Sequence, residues 1–129
     1  MSIVIKNGHF IEPTSGMSEP MDIRIDGKFV EKIGKNLSGD DVIDAKGCIV
    51  CPGLVDSHVH FREPGFESKE TIESGSRAAA RGGFTSVVTM ANTRPVIDNA
   101  GMVEFVNRRA RETSLIKIYP AATATKGME

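Results

Sequence analysis

From Leu54 onward, short apolar runs alternate with segments of helical period, and this alternation constrains the fold more than any other feature. The predicted strands are rich in Val, Ile and Thr and cover residues 54–61, 84–90 and 115–119. The predicted helices cover residues 68–81 and 99–112. Ser68 is the expected N-cap of the first helix, and Gly82-Gly83 ends it. The order β-α-β-α-β predicts parallel strands joined by right-handed crossovers, as in doubly wound sheets and (β/α) barrels.

The first 52 residues have a different rhythm, with short strands and tight turns. Two dipeptides, Asn7-Gly8 and Asp26-Gly27, predict hairpin turns. The strands that these turns would join are residues 3–6 with 9–11, and residues 22–25 with 28–33; further strands are predicted at 42–43 and 48–51. We expect the second hairpin to bury one face. A meander this small buries little apolar area and keeps open edges, so we expect another element to cover it.

Composition excludes several classes of protein. Hydrophobic residues make up 40% and charged residues 26% of the 129 residues, which excludes a disordered or low-complexity chain. Sixteen basic and seventeen acidic side chains give a net charge of −1, which argues against nucleic-acid partners and against a polybasic membrane surface. No apolar run approaches the roughly 20 residues that a membrane span needs. Without a secretory signal pattern at the N-terminus, the expected location is the cytoplasm.

Cys48 and Cys51 form a C-x-x-C pair in an apolar, strand-like run. This spacing is compatible with a redox pair or with half of a zinc site. No second C-x-x-C completes a structural zinc site, and no helix start follows the pair to lower a thiol pKa. We therefore expect two small, buried or half-buried hydrophobic residues.

The run Asp56–Arg62 carries most of the chemistry. Strand alternation places Asp56, His58, His60 and Arg62 on one face, and Val55, Val59 and Phe61 on the other. Two imidazoles two residues apart on a strand can converge on one divalent ion. The alternative is a solvated strand face with two ordinary histidines. His9, the third histidine, lies beside a predicted turn and is expected to be exposed.

Arg62 and Asn92 each follow a predicted parallel strand. Active sites of parallel α/β proteins form at the carboxyl ends of strands, so both side chains are expected on one rim. The fork of Arg62 suits a carboxylate, and the alternative is a surface ion pair with Glu63 or Glu67. For Asn92 the alternative is an Asx turn before Pro95.

Two runs of this sequence resemble a known family. Residues 52–65 read P-G-L-V-D-S-H-V-H-F-R-E-P-G, and residues 82–95 read G-G-F-T-S-V-V-T-M-A-N-T-R-P. They resemble the first-strand and second-strand signatures of dihydroorotases of the amidohydrolase superfamily. The resemblance extends over the whole chain. It implies an α/β fold with a small β-sandwich half-domain at 1–52 and, at 53–129, the N-terminal part of a (β/α)8 TIM-type barrel. Because three strands cannot close an eight-stranded barrel, the barrel would be incomplete in this chain.

The resemblance also implies an activity and its residues. The activity is the zinc-dependent, reversible cyclisation of N-carbamoyl-L-aspartate to (S)-dihydroorotate in pyrimidine biosynthesis, with one or two zinc ions. His58 and His60 would bind metal, and the substrate would contact His60, Phe61, Arg62 and Asn92. Asp56 would support the metal ligands. The general acid and base are expected beyond Glu129, so no catalytic residue is assigned here and residues 1–129 alone are predicted to be inactive.

The implied partners are the small-molecule substrate and either a second copy of the chain, in a homodimer, or aspartate carbamoyltransferase. Two further readings remain open. One is another cyclic amidohydrolase, such as an allantoinase or hydantoinase. Allantoinases have a similar first-strand motif, but they have Asn at the position where this chain has Arg62. The other is a non-catalytic dihydroorotase-like scaffold, although such proteins usually lose metal histidines and this chain keeps His58 and His60.

Overall fold

A computed structural model describes all 129 residues as a mixed α/β chain with two compact units, Met1–Pro52 and Gly53–Glu129. The strands are β1 (Ser2–Glu12), β2 (Met17–Asp26), β3 (Phe29–Gly34), β4 (Asp41–Asp44), β5 (Ile49–Val50), β6 (Leu54–Val59), β7 (Phe84–Thr89) and β8 (Lys117–Pro120). The helices are α1 (Ile72–Arg81), α2 (Ala100–Thr113) and a short 3₁₀ helix (Lys126–Met128). None of the helices has both the length and the apolar character that crossing a bilayer requires.

The first unit is a five-stranded sheet with the order β3-β2-β1-β4, in which β5 also pairs with β1. β1 is antiparallel to β2 and parallel to β4 and β5. The hairpin predicted at Asp26-Gly27 is confirmed: β2 and β3 pair antiparallel, and Gly27 has a φ of 57° in the turn between them. Glycine tolerates this left-handed conformation without steric cost.

The hairpin predicted at Asn7-Gly8 is wrong, because β1 runs straight through both residues. The pairs Ile5↔Ile23 and Gly8↔Met21 leave one extra residue on β1, which is a β-bulge. Asn7 takes the positive φ of 63°, and its Nδ2 donates to Asp44 Oδ1 at 2.9 Å. A continuous β1 has hydrogen-bonded strands on both sides, and these pairings outweigh the local preference for a turn.

The expected buried face of the second hairpin is only partly present. Ile23 on β2 is buried, whereas β3 has no buried residue and Phe29 is 77% exposed. Cys48 and Cys51 are both exposed and unpaired, so the expectation of buried or half-buried cysteines is wrong. They flank the strand β5, which is only two residues long and pairs with β1 alone.

The second unit confirms the predicted β-α-β-α-β order. Its three strands are parallel in the order β6-β7-β8. The helices α1 and α2 pack against β7 and β8 respectively and against each other. The buried hydrophobic core between sheet and helices consists of Phe61, Ile72, Val87, Ala91, Ile97, Val106 and Ile118.

Helix α1 begins at Ile72 rather than at the predicted Ser68. Thr71 is the N-cap, and its hydroxyl and that of Ser74 form a reciprocal capping box. Glu63 Oε2 accepts the Ile72 N–H at 2.8 Å, so another unpaired donor of the first turn is also satisfied. The predicted start of α2 is confirmed within one residue, with Asn99 as the N-cap.

Candidate functional site

A β-bulge near the end of β6 sets the direction of the candidate metal ligands. Asp56 pairs with Val87 and Val59 with Thr89, so β6 has one more residue than β7 between these pairs. Val87 and Thr89 are buried on the helix side of the sheet, which places Asp56 on that side and His58 on the other. The prediction that Asp56 shares a face with the histidines is therefore wrong. The Asp56 carboxylate instead accepts the backbone N–H of His58 at 3.0 Å.

His58 and His60 lie together beyond this bulge. Their Nε2 atoms are 3.2 Å apart, and their ring centroids are 5.1 Å apart. Two nitrogen ligands of a tetrahedral zinc ion, at bond lengths of about 2.0–2.1 Å, are separated by about 3.3 Å. The pair therefore has the separation that two ligands of one ion need. No third His, Cys, Asp or Glu of residues 1–129 joins them to form a group of three.

Asn92 lies in the loop after β7, next to the histidine pair. Its Oδ1 is 2.8 Å from His60 Nδ1. The alternative of an Asx turn does not hold, because the Asn92 side chain bonds to no backbone group. The loop is held instead by Thr93, whose hydroxyl donates to the Pro95 carbonyl at 2.7 Å. The structure thus brings together three predicted site residues, His58, His60 and Asn92.

Arg62 is half-buried, and its guanidinium has no hydrogen-bond or ion-pair partner. The ion pair considered as an alternative does not form, because both candidate partners are otherwise engaged. Glu63 bonds to Arg109, and Glu67 Oε1 accepts the Gly65 N–H at 2.8 Å. The planar fork of Arg62 is therefore left available for an external anion.

The structure does not bring the Phe61 side chain to the histidines. Phe61 is 8% exposed and belongs to the core on the helix side of the sheet. Its ring lies so close to Gly75 that a Cβ at that position would be 2.7 Å away.

Glu63 has a role beside the candidate site that the sequence analysis did not predict. It is 5% exposed, and its Oε1 accepts from Arg109 Nε at 2.7 Å while its Oε2 accepts the N–H of Ile72. The hydrogen bond and charge of Glu63 raise the pKa of Arg109 above its ordinary value. Glu63 thus fixes the loop after Arg62 to both helices. The only sequence signal for it is its place between Arg62 and Pro64 in the quoted run.

A shallow cavity of about 330 Å³ lies beside the histidine pair and Asn92. Its walls include His58, His60, Asn92 and Ala121, which follow or end the three parallel strands. The carboxyl ends of β6, β7 and β8 therefore meet at one concave surface, where ligands of parallel α/β proteins bind.

The fold of this chain is shared with part of a larger solved structure. It superimposes on the L-hydantoinase (dihydropyrimidinase) of Arthrobacter aurescens with a TM-score of 0.84, over 98% of this chain and 28% of that one. The two sequences are 24% identical, so this likeness concerns the fold alone.

Sequence comparison then identifies the family. Residues 47–129 match the model of the Dihydro-orotase-like family, and the chain belongs to that family. It is 48% identical over 130 residues to the dihydroorotase of Pelobacter propionicus, covering 98% of this chain and 31% of that protein. It is 51% identical over 127 residues to the dihydroorotase of Bacillus subtilis, covering 97% of this chain and 29% of that protein. The chain thus spans less than a third of the length of these relatives.

Proposed function

We propose that the protein acts as a dihydroorotase, interconverting N-carbamoyl-L-aspartate and dihydroorotate in pyrimidine biosynthesis. The observation that carries the proposal is the placement of a two-histidine pair beside Asn92. Arg62, two residues after His60 in the chain, is half-buried and has no ion partner. Membership of the Dihydro-orotase-like family and identities near 50% to proteins named dihydroorotase support it.

We further propose that the second unit forms the first three strands of a (β/α)8 barrel and that residues 1–52 form half of a β-sandwich. The parallel order β6-β7-β8 and the two packed crossover helices support the barrel. The opposite face of this sheet has no helix, as expected for the inside of a barrel, and Val55 on it is 67% exposed.

His58 and His60 would hold zinc through their Nε2 atoms, whose 3.2 Å separation fits two ligands of one ion. When bound, zinc supplies a Lewis acid that polarises a carbonyl oxygen and lowers the pKa of water. Two histidines are fewer ligands than zinc normally takes. We therefore propose that the remaining ligands, for one or two ions, and the general acid and base come from outside residues 1–129.

Arg62 and Asn92 would bind the substrate carboxylate. Arg62 offers a planar pair of donors that no side chain of this chain occupies, and the Nδ2 group of Asn92 donates to no residue at the site. Held in this way, the carboxylate orients the ring amide relative to the histidine pair. His60 would also line the substrate pocket, because it forms part of the cavity wall together with Asn92.

A hydantoinase or dihydropyrimidinase is the second candidate, because the fold is shared with such an enzyme. Arg62 favours the dihydroorotase. Hydantoin and dihydrouracil carry no carboxylate, and a half-buried guanidinium without an anion partner is costly to maintain.

The proposal is tested by replacing His58 and His60 separately with Ala in the full-length protein. Both variants should lose zinc and dihydroorotase activity together, because each removes one of only two ligands on β6 and its loop. The third histidine provides the matched control: His9→Ala lies in the first unit and should keep both zinc and activity. Plasma emission analysis after dialysis measures the metal. Unchanged zinc in both site variants would refute the assignment.

A further inference from the structure

We propose that Asn92 is a positioning residue that selects the tautomer of His60. The Asn92 Oδ1 lies 2.8 Å from His60 Nδ1. An amide oxygen can only accept, so the imidazole proton must be on Nδ1 and the lone pair on Nε2. This lone pair is on the nitrogen that faces His58, where a metal ion would sit. The role of the ion rests on the proposed function, whereas the tautomer is a property of the chain itself.

The arrangement makes the two histidines unequal. With the His60 proton on Nδ1, the lone pair of His60 Nε2 faces His58 Nε2 at 3.2 Å. His58 Nδ1 has no hydrogen-bond partner. Asn92 thus sets the tautomer of His60, whereas no side chain of this chain sets that of His58 through its Nδ1.

The Nδ2 group of the Asn92 amide has a second role. Because Oδ1 bonds to His60, the Nδ2 group is directed away from that ring and remains free to donate to a substrate carboxylate. An aspartate at position 92 would keep an acceptor for His60 but lose this donor, and an alanine would lose both. The two roles of Asn92 are therefore separable by substitution.

The direct test is the tautomer of His60 in the metal-stripped, full-length protein with ¹⁵N-labelled histidine. Long-range ¹H–¹⁵N spectra above the titration range of histidine distinguish the two tautomers, and His60→Gln identifies the signal. We expect protonated Nδ1 in the natural sequence and in Asn92→Asp, and a mixture of tautomers in Asn92→Ala. Asn107→Ala is the matched control, because the Asn107 side chain makes no hydrogen bond; it should leave the signal unchanged.

Zinc affinity and kinetics give the second readout. Loss of a partner that orients a metal-bound histidine typically weakens metal binding by about 10–100-fold, which we expect for Asn92→Ala. Asn92→Asp should retain zinc but raise KM for dihydroorotate, because a carboxylate at this position repels the substrate.

A His60 signal with protonated Nε2 in the natural sequence, or one that Asn92→Ala leaves unaltered, would overturn the inference. If instead the natural protein binds no zinc while the His60 tautomer still depends on Asn92, the proposed function fails and the positioning role remains.

Discussion

Arg62 and Glu63 are adjacent in the chain, yet their side chains have opposite environments. Glu63 is 5% exposed and bonded to both Arg109 and the start of α1, whereas the Arg62 guanidinium has no partner. Glu63 is thus held in place by the fold, and it cannot neutralise its neighbour. This division of roles explains how a loop can be rigid and still present a free cation.

Replacing Glu63 with Ala should lower the free energy of unfolding by about 3 kcal/mol, because it removes the 2.7 Å partner of the half-buried Arg109 and the acceptor of the Ile72 N–H. Arg109 would keep only its longer contact of 3.5 Å with the exposed Glu112. Glu73→Ala is the matched control. Glu73 pairs with Arg77 on the exposed surface of α1, and its loss should cost no more than about 0.5 kcal/mol. Urea unfolding of the two variants in the full-length protein measures the difference, and equal losses would contradict the anchoring role of Glu63.

Arg62→Ala should reduce kcat/KM for dihydroorotate by roughly 30-fold to several thousand-fold, the equivalent of about 2–5 kcal/mol for a lost charge-assisted contact. Arg62→Lys should recover little, because an ammonium group does not replace the planar fork. Arg77→Lys, on the exposed face of α1, is the control. Steady-state kinetics decide the matter: a near-normal kcat/KM in Arg62→Ala would place carboxylate binding elsewhere.

Side-chain alternation and strand ends were enough to predict that His58, His60 and Asn92 meet. They did not predict the face on which Asp56 lies, because the bulge at the end of β6 breaks the alternation and the residue pattern does not indicate a bulge there. Glu63 could not be predicted because its partner Arg109 is 46 residues away. The roles of the residues that meet are a separate matter, which only the experiments above test.

The strands and helices show where local signals succeed and where pairing overrides them. The turn at Gly27 and the N-cap Asn99 agree with the sequence, because each depends on its immediate neighbours. Asn7-Gly8 has an equally strong turn signal, but two flanking strands keep β1 extended. Likewise α1 begins late because Glu63 and the Thr71 cap together satisfy the donors at Ile72 and Ser74.

The turn between β1 and β2 provides a prediction about pH. The Ser15 side chain and the backbone N–H groups of Thr14 and Ser15 lower the pKa of Glu12 from its ordinary value of 4.5 to about 2. A lowered pKa means that the folded turn is stabilised by the ionised carboxylate. This contribution is complete above about pH 4.5 and is lost as the pH falls through about 2.

An NMR titration of the Glu12 carboxyl should therefore show a pKa near 2, with the amide signals of Thr14 and Ser15 shifting along the same curve. Glu12→Gln, which cannot ionise, should abolish that transition in both amide signals. A Glu12 pKa near 4.5 would show that the turn does not depend on the carboxylate.

Each of the two units leaves apolar surface uncovered. In the first, Phe29, Val42 and Ile49 are 77%, 59% and 67% exposed. In the second, the helices cover one sheet face, where Val87 is 1% exposed, while Tyr119 on the other face is 53% exposed. Parallel sheets are normally buried on both faces, so this exposed face needs further chain or a partner to cover it.

Residues 1–129 by themselves should consequently show no dihydroorotase turnover, bind a hydrophobic dye and unfold without a sharp transition. Val55→Ser, on the uncovered sheet face, should lower dye binding, while Lys117→Ser on the same unit serves as the control for a polar exposed position. A monomer with a cooperative urea transition and tight zinc binding would contradict this expectation.

The most direct measurement of the proposed function is the substrate preference of the purified, zinc-loaded, full-length protein. We predict that kcat/KM for dihydroorotate exceeds that for dihydrouracil, the same ring without the carboxylate, by at least about a hundredfold, since each charge-assisted hydrogen bond contributes about 1.5–3 kcal/mol. Arg62→Ala should remove most of this preference, so that the kcat/KM values for the two rings become similar. Equal or reversed preference for the two rings would contradict the dihydroorotase proposal and favour a hydantoinase-like activity.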